Sequence, residues 1–314
     1  MKKINKAIIL AAGLGTRLLP ATKTTPAALL PVGGQPLIQH LVTEIQQAGV
    51  QQILIVTADS AIEDYFDDNS TLNAALSTRS QFATLKTLTP TTPANLYFVR
   101  QAQPRGAGDA LLAAQNFVGD EPCLVLTTNT LTSGHPNLTK QLLRTFNRLG
   151  APLVAVTAAT APTVSSLNAP HTLKITALAS LASQTTLDLA GQRDLGRYVL
   201  TPEIFTNLAS QRATVRSEST LTDAIAALNQ TQRVFTATVT GATYAVDDPL
   251  SFAETNLAFS WQQPALATQL QQYAANATAP QVAPAFRPST KNSCGVNPHR
   301  RLKSAIKKRL SYGS

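Results

Sequence analysis

The residues best placed to do chemistry stand near the start of the chain. Ala11-Ala12-Gly13-Leu14-Gly15-Thr16-Arg17 follows an apolar run that reads as a first strand. Glycines let a backbone approach an anion while its N–H groups and a neighbouring arginine neutralise charge, so such a loop can cradle phosphate. Its spacing is neither the G-x-G-x-x-G of dinucleotide folds nor the Gly-Lys-Ser/Thr ending of a Walker A loop. Taken alone, it fits a strand-to-helix turn without a ligand equally well. His40, His135, His171 and His299 are far apart and make no metal-ligand spacing with Cys123 or Cys294, which points to surface or helix-packing roles. Two cysteines cannot build a disulfide framework, and Cys123, inside an apolar run, reads as a buried thiol. Asp59, Glu63, Asp64, Asp67 and Asp68 read as a solvated helix N-terminus.

The longer string is more specific. Ala11 to Lys23, then Pro26, Leu30-Pro31 and Pro36-Leu37-Ile38-Gln39, closely resembles the opening of the bacterial UTP-glucose-1-phosphate uridylyltransferases, members of the sugar-nucleotide nucleotidyltransferase superfamily. Val99-Arg100-Gln101 with Pro104, Gly106, Gly108 and Ala110 resembles the family's second nucleotide segment. Val118 to Pro122, Gly196 to Phe205 and Leu221 to Ile225 follow in the family's order, so the likeness runs over roughly residues 6 to 275. It implies that a sugar-1-phosphate oxygen attacks the α-phosphorus of UTP, pyrophosphate leaves and a UDP-sugar forms. Such transfer asks the protein for positioning and for charge neutralisation by cations and Mg²⁺.

Carried over residue by residue, the resemblance assigns the backbone of Ala11, Ala12 and Gly13 and the side chain of Gln101, with Gly106, to uracil and ribose. Gly15, Thr16 and Arg17 are assigned to the triphosphate. An amide suits a uracil edge because it offers both a donor and an acceptor. The other half of the pattern is eroded. Where the family reads Pro-Lys-Glu-Met-Leu-Pro, this chain has Pro26-Ala27-Ala28-Leu29-Leu30-Pro31, so Ala27 replaces a phosphate-directed lysine. Asn129 and Ala245 stand where two metal-binding aspartates belong, and the Val-Glu-Lys-Pro sugar clamp has no counterpart between Thr172 and Arg193. Asp247 shares a face with Ala245 if the segment is extended, a substitute displaced by roughly 6 to 7 Å. Losing two carboxylates and one ammonium leaves the site one unit more positive. The expectation is therefore a uridine nucleotide held without Mg²⁺ by Arg17, Lys23 and the glycine loop, with Mg²⁺ needed only if the chain is catalytic.

These residues need a scaffold, and short apolar runs alternate with helical patterns: Ala7–Ala12, Leu37–Gln47, Gln52–Thr57, Ser60–Phe66, Leu96–Gln101, Asp109–Phe117, Cys123–Thr127, Leu138–Leu149 and Leu153–Thr157. The alternation predicts an α/β, doubly wound, mostly parallel sheet. The resemblance makes it a nucleotidyltransferase (Rossmann-like) sheet with a small sugar-side extension. Residues 68–94 read as a surface excursion, and helical spacing over Leu250–Ala274 is expected to close the core. The domain reading is 1–275 for the nucleotidyltransferase-like body, 276–298 for a Pro-rich linker and 299–314 for a basic amphipathic tail.

Composition bounds the rest. With 44% hydrophobic and 14% charged residues in 314, the chain folds. No apolar run approaches the roughly 18 residues of a membrane span, and no signal-peptide cleavage site is apparent, so a cytoplasmic location is expected. Eight of the 26 basic residues lie from Arg287 onward with no acid among them, leaving 18 against 17 in the first 286. The charge of +9 thus describes a tail and does not by itself make this a nucleic-acid-binding domain, so no specific nucleic-acid partner is expected. A basic helix with Leu302, Ala305 or Ile306, and Leu310 at helical spacing suits the anionic inner face of a membrane or a polyanion, while a disordered solubilising tail fits the same residues. The expected small-molecule partners are UTP or a UDP-sugar, with a homo-oligomer or a hetero-oligomer with a complete family member left open. The leading expectation is a divergent paralogue, weak or inactive in transfer, that binds or regulates. The alternatives are an active uridylyltransferase making UDP-glucose and a tail-tethered scaffold.

Overall fold

A computed structural model describes residues 3–88, 95–103, 105–134, 136–157, 174–177, 192–214 and 220–276, with the backbone alone at 86–88, 174–177 and 213–214. Its strands are β1 (Lys6–Ala11), β2 (Pro31–Val32), β3 (Gln35–Pro36), β4 (Gln52–Thr57), β5 (Asn95–Arg100), β6 (Cys123–Thr127), β7 (Thr130–Ser133), β8 (Leu153–Thr157), β9 (Lys174–Ala177), β10 (Arg193–Leu200), β11 (Phe235–Thr238) and β12 (Ala242–Ala245). The helices are α1 (Leu37–Gln47), α2 (Ala61–Phe66), α3 (Ser70–Thr78), α4 (Phe82–Leu88), α5 (Ala107–Leu112), α6 (Gln115–Val118), α7 (Leu138–Leu149), α8 (Glu203–Thr214), α9 (Leu221–Thr231), α10 (Pro249–Trp261) and α11 (Pro264–Asn276).

Eight strands form one sheet in the order β5-β4-β1-β6-β10-β8-β11-β9. The β5-β4-β1-β6 block and the β8-β11 pair are parallel, whereas β10 runs antiparallel to both of its neighbours and β9 to β11. The expected mostly parallel α/β sheet is thus present. The period-two rule shows why the strands are apolar throughout: along β1, Ala7, Ile9 and Ala11 enter one core, while Ile8 and Leu10 enter the other. The first core is covered by α1, α2 and α7 and the second by α5, α6, α8 and α9. Burying each Ile, Leu or Val contributes about 1.5–3 kcal/mol, so the two faces together hold the sheet.

Two stretches depart from the sequence reading. Residues 70–78 and 82–88, read as an excursion, are the helices α3 and α4; Asn69 caps the first by accepting a hydrogen bond from the Leu72 N–H. That cap and the Leu72–Leu76 spacing give helical order to an excursion whose Ser/Thr content specified no element. The segment 250–274 is helical, but α10 buries only Thr255 fully while packing Phe252 and Phe259 against the first core, and α11 has no buried residue. The chain divides into two compact units, Met1–Ala267 and Thr268–Ser314. Most of the region between Thr172 and Arg193, residues 277–298 of the expected linker and the tail 299–314 lie outside the described residues.

Register sets where the chain's loops emerge. Thr57 pairs with Ala11 on one side and with Arg100 on the other, so the carboxyl ends of β1, β4 and β5 are level. The glycine loop and Gln101 therefore leave the sheet on the same edge, about two strand spacings, or ~9.5 Å, apart.

Candidate functional site

The glycine loop turns because Gly15 adopts φ 62°, ψ 28°, a left-handed conformation that leads into a short 3-10 turn over Thr16–Leu18. The Thr22 hydroxyl donates to the Gly15 carbonyl at 2.7 Å and braces the turn. A Cβ on Gly15 would lie 3.2 Å from the Ala27 Cβ, so position 27 abuts the loop. Among the described residues nothing stands within 4 Å of a Cβ added at Gly13, leaving that backbone open to an approaching group. Ala11 and Ala12 are buried, whereas Thr16, Arg17 and Lys23 are exposed. Arg17 donates to the Asp247 carboxylate at 2.6 Å, tying the loop to the segment ahead of α10. The next residue, Asp248, has its carboxyl held below the usual range by hydrogen bonds from Ser251, with the Arg17 charge a smaller contribution.

Asn129 and Ala245, far apart in sequence, are neighbours in space. Ala245 pairs with Thr130 in the two-stranded β7-β12 sheet, and the Val246 N–H donates to the Asn129 carbonyl at 3.0 Å. The Thr127 hydroxyl donates to the Asn129 side-chain oxygen. Gly196 makes room for this pair: it has φ 63°, and a Cβ there would overlap the Thr127 hydroxyl at 1.9 Å and the Asn129 Oδ1 at 2.8 Å. It sits at a bulge in β10, where its N–H donates to Asp194 at 2.7 Å. Burial pushes the Asp194 carboxyl above its ordinary range, although Tyr198 donates to it at 2.6 Å.

Below the 127–130 turn lies a polar anchor that sequence reading left without a role. Arg197 is wholly buried; it donates to Glu44 at 3.0 Å, to the Thr130 carbonyl at 2.9 Å and to the Thr127 carbonyl at 3.2 Å. Thr139 donates to the same Glu44 carboxylate at 2.6 Å. Its signal was an arginine inside an apolar strand run, which demands a buried partner.

On the far side of β4, the Gln101 N–H donates to the Thr57 carbonyl at 2.7 Å. The side chain is buried, not a surface amide at a strand end, and its Nε2 donates to Asp109 at 2.7 Å. Its Oε1 is buried without a partner among the described residues. Arg212 of α8 stands 3.5 Å from the same Asp109. Gly106 starts α5 at φ 93°, a conformation that favours glycine. Cys123 is buried in the core, where loss of solvent pushes its thiol up to about 12. His40 is largely buried against Phe259, which fits the packing role expected of it.

Comparisons with known proteins identify the family. The nucleotidyl transferase family model matches residues 6–166. UTP–glucose-1-phosphate uridylyltransferase 2 of Streptococcus pyogenes serotype M3 is 40% identical over 288 residues, covering 87% of this chain and 96% of that protein. The chain belongs to the UTP–glucose-1-phosphate uridylyltransferase family. Among solved structures, UDP-glucose pyrophosphorylase from Acinetobacter baumannii aligns with a TM-score of 0.73 at 28% identity, covering 87% of this chain and 99% of that one. A UTP-bound form of the Acinetobacter baumannii enzyme gives 0.73 at 27%, covering 88% and 100%. A UDP-glucose pyrophosphorylase complexed with UDP-glucose gives 0.64 at 25%, covering 83% and 100%.

As a uridylyltransferase family member, the chain invites a test against Mg²⁺, and the donor set does not fit. Position 129 offers a neutral amide oxygen that already accepts from Thr127, and position 245 offers a methyl group. Asp247 is engaged by Arg17. Sites that hold Mg²⁺ on phosphates rely on one or two carboxylates. Among the described residues, no group of three or more His, Cys, Asp or Glu is placed to hold a metal.

Proposed function

We propose that this uridylyltransferase family member takes up UTP and UDP-glucose at the carboxyl edge of the sheet and transfers uridylyl groups to glucose 1-phosphate only slowly. One observation carries the reading: the loop that can cradle phosphate is intact, while the position against it, 27, is a methyl and the paired positions 129 and 245 are an amide and a methyl. In this reading the N–H groups from Ala11 to Thr16 face the nucleotide, Arg17 and Lys23 neutralise its phosphates, and Gln101 with Gly106 meets the base. The sugar-phosphate oxygen forms a bond to the α-phosphorus as the bond to the departing pyrophosphate breaks. Loss of one such stabilising group commonly costs about 2.7–4 kcal/mol of transition-state stabilisation, and losses within one unit do not simply add.

The test is calorimetric titration of the full chain with UTP, with Mg²⁺ and with EDTA. Saturable binding of similar affinity in both conditions is the expected result, because the cradle works through Arg17, Lys23 and backbone N–H groups. Binding that vanishes in EDTA would overturn it. A second reading, an enzyme of ordinary rate, is favoured by the 40% identity over nearly the whole of the relative; it requires Asp247 to leave Arg17 and serve in place of the missing carboxylates. An absence of any transfer, with a purely regulatory role, is the limit of the first reading.

Three further assignments rest on sequence. The body, 1–275, carries the nucleotide site, and the tail after the linker contacts an anionic surface such as the inner face of a cytoplasmic membrane. A hetero-oligomer with a complete family member would give a slow paralogue a regulatory role. Among the described residues no helix is long and apolar enough to cross a membrane.

A further inference from the structure

Gln101 ends β5 with its carboxamide buried, and the two ends of that amide are treated differently. Nε2 donates to the Asp109 carboxylate at 2.7 Å, whereas Oε1, shut off from water, has no hydrogen-bond partner among the described residues. A carboxylate accepts and does not donate, so Asp109 admits only one orientation of the amide: nitrogen toward α5, oxygen away from it. Reversing the amide would set two oxygens against each other. Asp109 is itself fixed, being mostly buried on α5 with Arg212 of α8 at 3.5 Å. The two helices share the core made by Ala110, Leu111, Ile204, Phe205 and Leu208, so the support is rigid.

We propose that Asp109, backed by Arg212, is a positioning residue that presents the Gln101 oxygen to the nucleotide base and thereby selects uracil over cytosine. The proposal rests on the reading above, in which Gln101 meets the base. The ring nitrogen N3 of uracil carries a hydrogen and donates, and the same nitrogen of cytosine accepts. An acceptor oxygen held in place therefore completes a hydrogen bond with uracil and opposes a lone pair in cytosine. A buried acceptor without a partner is costly, and a donor arriving there gains its bond without stripping a water from the oxygen. Sites built to complete such bonds discriminate strongly because the wrong ligand leaves the buried group unpaired.

The experiment is calorimetric titration of the full chain, native and Asp109→Asn, with UTP and with CTP. Asparagine offers both an oxygen and an N–H to Gln101, so either orientation of the glutamine becomes accessible. The native chain should prefer UTP by about 100-fold, and Asp109→Asn should bring that ratio down about 10-fold or more, with CTP binding strengthened as UTP binding weakens. A structural defect would weaken both nucleotides together and leave the ratio alone. Arg212→Met changes an exposed side chain and should lower the ratio in the same direction but less, which guards against misfolding of the first variant. A UTP preference that survives Asp109→Asn unchanged overturns the role of Asp109 while leaving the site reading intact. A native chain that binds neither nucleotide overturns that reading and the proposal with it.

Discussion

Gly196 shows how closely single residues control this site. Its positive φ and the absence of a side chain let Thr127 and Asn129 stand where they do, since a Cβ would sit 1.9 Å from the Thr127 hydroxyl. Gly196→Ala should therefore displace the 127–130 turn and cost about 1–3 kcal/mol of stability, read as a lower urea midpoint. An unchanged midpoint would show that the turn adjusts freely. At this scale the sequence was informative where a motif named the position. The absent groups at 27, 129 and 245 were visible as letters, and the structure places 129 beside 245 and 27 against Gly15. Arg197 signalled only that a buried partner must exist, and neither that partner, Glu44, 153 residues away, nor the role of Asp109 beside Gln101 was legible, because no local pattern names such pairs.

Among elements, most of the wind could be read directly. Gln52–Thr57, Cys123–Thr127 and Leu153–Thr157 fall where continuous apolar runs put them, since strands buried on both faces have no polar alternation to blur their limits. The helices at 70–78 and 82–88 were hidden by Ser and Thr, which suit loops locally but are tolerated in a helix that is capped. The junction of α1, β2 and α10 gives a testable pH effect through His40, which sits 2.9 Å from the Val32 carbonyl and edge-on to Phe259. Burial lowers its pKa below the ordinary 6.5, so the folded chain resists protonation more than the unfolded one. Its contribution is then fully present above pH 6.5 and is lost as the pH falls below it. Urea midpoints should drop between about pH 7 and pH 5 in the native chain and drop less in His40→Gln. Equal slopes would remove His40 from the account.

For the whole molecule, charge separates a nearly neutral body from a basic tail, and this division was legible from counting alone. If the tail meets anionic lipid, the full chain should sediment with phosphatidylserine-containing vesicles at low salt and be released by about 0.5 M salt, while a chain ending at Asn276 should stay in solution. Co-sedimentation of the shortened chain would assign the contact to the body. The central claim concerns turnover and is tested most directly by pyrophosphate release from UTP, Mg²⁺ and glucose 1-phosphate. The native chain should be compared with Ala27→Lys/Asn129→Asp/Ala245→Asp. The account predicts slow release by the native chain and a rise of about 100-fold or more in the triple variant. Native turnover equal to that of the streptococcal relative, lost in Asp247→Asn, would contradict it and establish the chain as an enzyme of ordinary rate.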